Sequence, residues 1–183
     1  MDQWHQLSTG EKYDSEGECA RSGKILPEIL EHLLKNDFFQ KQGPKSTGRE
    51  TFNLEYINNA INSIRKKQKF SHQDIQATLL ELTVVSIARS IASLKHHYIN
   101  DIYLCGGGIA NIFLVEQLKK ALDGYSLEST ASLGLDPNHV ESLAFAWLAQ
   151  QRISGKPVPL STGGRKKELV LGGLYQCSRE SSS

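Results

Sequence analysis

At 183 residues, with 39% hydrophobic and 22% charged residues, the chain has the composition of one folded globular domain and not of a disordered protein. A formal net charge of +1 excludes bulk electrostatic attraction to nucleic acid or to an anionic membrane surface. The three cysteines, Cys19, Cys105 and Cys177, form no CxxC pair, so we expect neither disulfides nor zinc, and a reducing compartment.

The sequence also lacks the signals of export. No apolar run approaches the ~20 residues of a membrane span, and the polar segment after Met1 has neither the basic start nor the apolar stretch of a signal peptide. We therefore expect a cytoplasmic protein.

The first half of the chain predicts helices separated by polar loops. Residues 26–37, "LPEILEHLLKND", place five leucines and isoleucines on one stripe, with Pro27 in the first turn. Residues 54–67, "LEYINNAINSIRKK", repeat the helical spacing after a loop at 38–53. Ser71 and Asp74 then predict a capping box at the start of a long helix. The apolar stripe of that helix needs the core or a second subunit as its partner, and consists of Leu80, Val84, Ile87, Ile91 and Leu94.

The second half alternates between strand and helix, which predicts a parallel α/β layer. "DIYLC" (101–105) and "YSLEST" (125–130) are predicted strands around the helix "NIFLVEQLKKAL" (111–122). Residues 135–153 predict a helix covered on more than one side, with Asp136 as N-cap and Pro137 in its first position. "ELVLGGLYQ" (168–176) predicts a strand or an extended tail.

Three consecutive glycines, Gly106, Gly107 and Gly108, separate a predicted strand from a predicted helix. A tight turn and a nucleotide site explain them equally well, because helix-start amides attract anions and glycine lets a ligand approach the backbone. The full GxGxxG fingerprint is absent, since Asn111 stands where its last glycine would fall. The Asn111 side chain could bind a ribose or base, which slightly favours the nucleotide site, or it could cap the helix.

The segment "PKSTGRE" (44–50) gathers cations and hydroxyls around Gly48, namely Lys45, Ser46, Thr47 and Arg49. These groups suit a phosphate or a polyhydroxylated ligand, although the spacing is not that of a Walker A loop. By spacing alone, the stronger interpretation is a capping box made by Thr47 and Glu50 for the following helix.

Four further residues have mainly structural interpretations. Glu141 lies in the first turn of a predicted helix, where a carboxylate complements the helix dipole unless it faces a ligand cleft. His96 and His97 end a helix, and His139 has no metal partner near it in the sequence. We assign no metal ligand in this chain.

Taken in order, several segments resemble the C-terminal part of the anhydro-N-acetylmuramic acid kinases, within the superfamily of sugar kinases and actin. The resemblance spans residues 1 to about 176, and "PKSTGRE" and the "GLDP…E…LAFAWLA" block are its most specific parts. The matching segments are "MDQW", "YDSEGECARSG", "FFQKQGPKSTGRETFNL", "DIQATLLELTVVSIA", "CGGGIANIFL", "GLDPNHVESLAFAWLA" and "LSTGGRKKELVLGGLY".

The resemblance implies an α/β fold, namely the helix-rich C-terminal lobe of an actin-like ATPase with a ribonuclease H-like fold. It implies that Gly106, Gly107, Gly108 and Asn111 line the site for the adenosine part of ATP, and that Glu141 faces the amino-sugar cleft. Lys45, Ser46, Thr47 and Arg49 would lie near that cleft with no ligand atom assigned. The family opens the 1,6-anhydro ring of anhydro-N-acetylmuramic acid and phosphorylates O6 with Mg-ATP, giving N-acetylmuramic acid 6-phosphate.

The family pattern also includes a glycine-rich phosphate loop and a "DTGPGN" element with the aspartate base, and neither occurs in these 183 residues. The chain therefore looks like a truncated or split reading frame, or an excised segment. We expect 1–176 to form the C-terminal lobe, 177–183 to be a disordered tail, and the base and the Mg²⁺ site to lie upstream of Met1. Such a fragment should be inactive alone, and the full-length enzyme should be a homodimer without nucleic-acid or membrane partners.

Two alternatives remain open. A fragment of another sugar kinase of the same superfamily would explain the glycine triplet but not "PKSTGRE". A non-catalytic module that dimerises through the helices of residues 54–96 would explain the apolar stripes without any ligand.

Overall fold

The computed structural model describes residues 1–41, 45–64, 69–94, 100–162 and 165–175, which divide into units of residues 1–138 and 139–183. The first unit contains helices α1 to α7, which are Asp2–Thr9, Glu18–Ser22, Pro27–Leu34, Asp37–Gln40, Leu54–Ile64, His72–Ala92 and Ile112–Ala121. It also contains strands β1 (Asp101–Leu104) and β2 (Ser126–Ser129). The second unit contains α8 (Val140–Ile153), β3 (Val158–Thr162) and β4 (Arg165–Leu169).

The long helix α6 is the centre of the first unit. Its predicted capping box is confirmed, because Asp74 N donates to Ser71 Oγ at 3.1 Å and Ser71 N donates to Asp74 Oδ2 at 3.2 Å. One apolar cluster packs α6 against α3 and α5, and comprises Ile29, Leu33, Ile57, Ala60, Ile61, Ile75, Leu79 and Leu82. The predicted helices are thus confirmed at 27–34 and 54–64, with apolar residues of the predicted stripes buried; the remaining predicted positions 65–67 lie outside the described residues.

The apolar stripe of α6 packs into a second cluster of buried residues. Leu80 and Val84 are buried against α2 and α7, and Ile87 and Ile91 are partly buried against the same cluster. Only Leu94 of the stripe is exposed, at 53%. The stripe therefore faces the core of its own unit, so the structure gives it no need of a second subunit.

The predicted parallel α/β layer is confirmed, with a sheet of only two strands. β1 pairs with β2 in parallel, from Asp101 with Ser126 to Leu104 with Ser129, and α7 connects the two strands. Ile102 and Leu127 pack against the second apolar cluster beside α7. The carboxyl ends of both strands consequently meet at one edge of this two-stranded sheet.

In the second unit the predicted start of the helix is wrong. α8 begins at Val140, with His139 and not Asp136 at the N-cap position. Asp136 Oδ1 instead accepts from Asn138 N at 2.8 Å, which forms a turn just before the helix and leaves Pro137 outside it. The expectation of a covered helix is also wrong, because none of the residues in α8 is buried.

The C-terminal segment of the described chain is a hairpin. β3 and β4 pair antiparallel, from Val158 with Leu169 to Thr162 with Arg165. Of the predicted strand or extended tail at 168–176, the first two residues belong to β4 and residues 170–175 have no helix or strand, and the sequence reasoning missed β3. The predicted disordered tail at 177–183 lies outside the described residues.

The expectation that no segment approaches the length and apolar character of a membrane span is wrong for helix α6. Its 21 residues reach a mean hydropathy of 1.3 in the most apolar window, enough by length and composition to cross a bilayer. That criterion is also met by core helices of globular proteins. The side chains of residues 75–80 are all buried against neighbouring helices, which favours the core interpretation for α6.

Three helices, α1, α2 and α4, were not predicted because none of them carries a long apolar stripe. α1 is tied to α6 by Trp4, whose Nε1 donates to the carbonyl of His72 at 3.0 Å. α4 begins at Asp37, one residue before the predicted loop, and Asn36 Oδ1 caps it by accepting from Phe38 N at 2.9 Å. Tertiary contacts and one cap thus stabilise helices that lack a long apolar stripe.

Candidate functional site

The glycine triplet lies where β1 ends and a 3-10 turn, Gly107–Ala110, begins. Gly106 has φ +81° and ψ 177°, a backbone conformation that side-chain-bearing residues avoid. Its amide donates to the carbonyl of Pro137 at 2.8 Å. The fold therefore explains the first glycine as a tight turn.

The other two glycines are not explained in this way. Neither Gly107 nor Gly108 has a positive φ, and a Cβ atom added to either would meet no atom within 4 Å. Both residues are exposed. Within the described chain, neither backbone conformation nor packing requires glycine at these two positions, and their bare backbone leaves room for a ligand.

Asn111 is the N-cap of α7, as its structural interpretation predicts. Its Oδ1 accepts from Leu114 N at 2.8 Å. The same oxygen lies so close to Gly17 that a side chain at Gly17 would collide with it, which fixes the turn before α2 against the start of α7. Among the described residues the Asn111 amide nitrogen donates no hydrogen bond, so a donor remains for a ligand.

An open groove of about 440 Å³ lies beside the carboxyl ends of β1 and β2. Leu104 and Ile109, on either side of the glycines, contribute to its apolar wall. The rest of its lining mixes apolar, hydroxyl and charged side chains, namely Val115, Lys119, Leu127, Glu128, Ser129 and Ser132. An apolar wall with a few polar groups at the end of parallel strands is a typical ligand-binding arrangement in α/β folds.

The predicted Thr47–Glu50 capping box is wrong. Glu50 Oε1 accepts from Gly48 N at 2.8 Å, and α5 begins only at Leu54. Asn53 caps that helix instead, with its Oδ1 accepting from Tyr56 N at 3.0 Å. The carboxylate of Glu50 is used within its own loop, so the loop at 45–50 is not the first turn of a helix.

The side chains of this loop have different surroundings. Lys45 Nζ donates to the carbonyl of Lys41 at 2.9 Å and lies 4.9 Å from the centre of the Phe38 ring. Ser46 and Thr47 are exposed and make no side-chain hydrogen bond among the described residues. Arg49 borders an open cavity of about 400 Å³.

The aromatic wall of that cavity was missed by the sequence reasoning. Phe38, Phe39, Phe52 and Tyr56 line it, with neighbouring ring centres 5.3 to 5.6 Å apart. Tyr56 donates its hydroxyl hydrogen to the carbonyl of Leu33, and burial raises the pKa of Tyr56 to about 12. The neighbouring Phe38 and Phe39 and the later Phe52 are the residues that could have indicated this wall. Their distance along the chain gives no sign that the rings are in contact.

Glu141 lies in the first turn of α8 and is exposed. That position is the one its structural interpretation predicts. Gly106, Gly107, Gly108 and Asn111 thus form one continuous turn, the residues at 45–49 form a second loop of the same unit, and Glu141 belongs to the other unit. His139 precedes α8, and His96 and His97 lie outside the described residues.

The sequence reasoning also missed a group of metal-ligand types. One ligand atom each from His5, Asp14 and Cys19 lie within 4.8 Å of one another. The thiol of Cys19 has a raised pKa because of burial and the nearby Asp14 carboxylate. The intervals between these residues match no established metal motif, so spacing alone could not have identified the group.

Comparison with known proteins places nearly all of the chain in one family. The model of the family "Anhydro-N-acetylmuramic acid kinase" matches residues 1–177. A protein of that name from Pseudomonas fluorescens is 41% identical over 179 residues, covering 96% of this chain and 47% of its own length. The one from Psychrobacter cryohalolentis is 40% identical over 178 residues, covering 94% of this chain and 42% of its own length.

A third relative of the same name, from Pasteurella multocida, is 39% identical over 176 residues, covering 96% of this chain and 46% of its own length. The chain spans about half the length of the curated relatives it matches. Since the match extends over nearly all of its residues, the chain belongs to the anhydro-N-acetylmuramic acid kinase family.

Proposed function

We propose that this chain supplies the adenosine site and part of the sugar site of an ATP-dependent kinase that opens 1,6-anhydro-N-acetylmuramic acid and phosphorylates it at O6. Membership of the family carries the proposal. In this proposal residues 1–176 form the helix-rich C-terminal lobe of an actin-like fold, the enzyme works as a homodimer, and the reaction takes place in the cytoplasm.

The glycine turn supports the nucleotide half of the proposal. Gly107 and Gly108 leave open space where any side chain would stand, so the adenosine part of ATP could approach the backbone amides directly. The Asn111 amide nitrogen supplies a donor beside them, and the groove next to Leu104 and Ile109 offers apolar surface for a base. These residues fit a nucleoside, and they would bind and orient ATP without taking part in bond breaking.

Glu141 is our proposed sugar ligand. A carboxylate accepts hydrogen bonds from two neighbouring sugar hydroxyls, and such charged hydrogen bonds contribute on the order of 1.5–3 kcal/mol. The exposure of Glu141 leaves both of its oxygens accessible. We place Lys45, Ser46, Thr47 and Arg49 near the same cleft, where cations and hydroxyls suit a carboxylate, phosphate or sugar.

The chemical step requires groups that these 183 residues do not include. Phosphoryl transfer depends on a phosphate loop, on Mg²⁺ that neutralises the developing charge, and here on a base that activates water. We propose that a lobe with the glycine-rich loop and the "DTGPGN" aspartate supplies them. The 183-residue polypeptide alone should therefore form no N-acetylmuramic acid 6-phosphate above a no-protein control.

A chimera tests this proposal. The upstream half of the Pseudomonas fluorescens relative would be fused to residues 1–177 and assayed for ATP-dependent formation of N-acetylmuramic acid 6-phosphate. We expect activity in the chimera, and in Glu141→Ala a loss of kcat/KM for the sugar of about 10- to 150-fold, the equivalent of 1.5–3 kcal/mol, with little change in the affinity for ATP.

Glu55→Ala is the matched control, because Glu55 is an exposed carboxylate on α5. A soluble, folded chimera without activity would contradict the proposed function. An active chimera in which Glu141→Ala behaves like Glu55→Ala would leave the kinase function standing and contradict the role of Glu141.

A further inference from the structure

The side chains of His5, Asp14 and Cys19 meet between α1 and the start of α2. His5 lies on α1, Asp14 precedes the 3-10 turn Ser15–Gly17, and Cys19 lies in the first turn of α2. One ligand atom from each residue lies within 4.8 Å of the other two. None of the three belongs to the glycine turn or to the loop at 45–50.

His5 lacks the partners that a buried polar side chain normally has. The residue is 5% exposed, and neither ring nitrogen has a hydrogen-bond partner among the described residues. Glu11 Oε2 lies 3.9 Å from Nε2, which is too far for a hydrogen bond. A buried imidazole without partners is costly, so its position beside a carboxylate and a thiol favours a role in binding a ligand.

Asp14 is buried and already oriented by its neighbours. Its Oδ1 accepts from Cys19 N at 2.9 Å, and its Oδ2 accepts from Ala20 N at 3.0 Å and from Gln76 Nε2 at 3.3 Å. Outer hydrogen bonds of this kind fix a metal-ligating carboxylate in place. Oδ1 still has lone-pair capacity for a cation, since it accepts one hydrogen bond only.

From this geometry we infer that His5, Asp14 and Cys19 form a binding site for a divalent transition-metal ion of the Zn²⁺ type. Imidazole, carboxylate and thiolate together are ligands that zinc accepts in tetrahedral sites. Tetrahedral zinc would bring the ligand atoms to about 3.4–3.7 Å from one another, so side-chain rotations must shorten the longest separation. Water or the carboxylate of Glu11 would complete the coordination.

The function of this ion would be structural. His5 and Asp14 are buried and Cys19 is partly buried, which leaves little room for a sugar or nucleotide beside the metal. A metal at this point would hold α1 against the turn that leads into α2, whose other end packs on α6. Its binding should therefore change stability and thiol reactivity, and it is independent of the proposed kinase reaction.

Titration of the 183-residue chain with Co²⁺ tests the site, because thiolate ligation gives a near-ultraviolet charge-transfer absorption that oxygen and nitrogen ligands lack. We expect one Co²⁺ per chain, with that absorption, displaced by Zn²⁺. Cys19→Ser should abolish the absorption, and His5→Gln should weaken binding at least about tenfold. Cys105→Ser is the matched control, since Cys105 is an exposed free cysteine outside the group.

Absence of the absorption in the wild-type chain, or its persistence in Cys19→Ser, would overturn the inference. Alkylation mapped by mass spectrometry gives a second measurement that does not depend on the folding of a variant. Zn²⁺ should slow the alkylation of Cys19 at least tenfold and leave Cys105 unaffected. Equal rates for Cys19 with and without Zn²⁺ would also overturn it.

Discussion

Asn111 Oδ1 accepts a hydrogen bond from the backbone amide of Leu114 at 2.8 Å, so the residue that we propose as a nucleotide ligand also caps the helix that follows. The two roles use different atoms of one side chain. The oxygen satisfies a free amide at the start of α7, whereas the amide nitrogen has no hydrogen-bond acceptor among the described residues.

Substitutions of Asn111 separate these roles. Asn111→Ala should lower the free energy of unfolding by about 1 kcal/mol, because the cap is lost. Asn111→Ser retains a capping oxygen and should keep most of the stability, while losing the amide nitrogen that is proposed to donate to the nucleotide. Urea denaturation and nucleotide titration of both variants measure the two effects. Equal nucleotide affinity in Asn111→Ser and wild type would limit Asn111 to the cap.

The glycine triplet allows a comparison between adjacent positions. Gly106→Ala should destabilise the protein by about 1 kcal/mol or more, because its φ of +81° is unfavourable for alanine. Gly107→Ala should be neutral, or stabilising by up to about 1 kcal/mol, since its φ is not positive and the added methyl group meets no atom. Thermal melts of the two variants measure this difference. A large loss in Gly107→Ala would show that the fold itself requires that glycine.

The capping box of α6 predicts an acid-sensitive contribution to stability. Hydrogen bonds from Ser71 and from the backbone amide of Lys24 lower the pKa of Asp74. The folded state therefore favours the ionised carboxylate more than the unfolded chain does. This contribution is complete well above pH 4 and is lost as the pH falls through the lowered pKa.

Melting temperatures from pH 7 to pH 3 test the prediction. Asp74→Asn should be less stable than wild type at pH 7, and the difference should shrink at the acid end. Asp101→Asn serves as the control because Asp101 is an exposed carboxylate at the start of β1. A difference between Asp74→Asn and wild type that stays constant over this range would contradict the assignment.

Helix α8 predicts self-association of the 183-residue chain. Four of its large apolar residues are between 47% and 74% exposed, namely Leu143, Phe145, Trp147 and Ile153. They point to more than one side of the helix, and exposed apolar surface of this kind marks an interface or promotes aggregation. A net charge of +1 offers little repulsion against association.

Light scattering at neutral pH should show species larger than a monomer, and Phe145→Ser should reduce them. Leu7→Ser is the control, since Leu7 is 65% exposed on α1 and lies outside α8. A wild-type chain that is monomeric at high concentration would contradict this prediction.

Local patterns were predictable where one short-range rule dominated. The Ser71–Asp74 capping box and the helix from Pro27 follow from residues three or four positions apart, and the structure confirms both. The parallel pairing of β1 with β2 followed from the alternation of strand and helix.

The errors arose where two local rules compete for one group. The side chain of Asp136 forms a turn with Asn138 and does not cap α8, and the carboxylate of Glu50 binds Gly48 within its loop. The meeting of His5 with Cys19 and of Phe38 with Phe52 depends on tertiary packing, which no spacing rule contains. The bare backbone at Gly107 likewise became evident only when the surrounding atoms were placed.

The central claim is that the glycine turn receives the adenosine part of ATP. Saturation-transfer NMR with ATP on the 183-residue chain tests it directly, because this method detects weak binding and identifies the ligand protons in contact. We predict transfer to the adenine and ribose protons of ATP, competition by adenosine, and loss of transfer in Gly107→Val with an unchanged melting temperature. No transfer with the wild-type chain, or equal transfer in Gly107→Val, would contradict the claim.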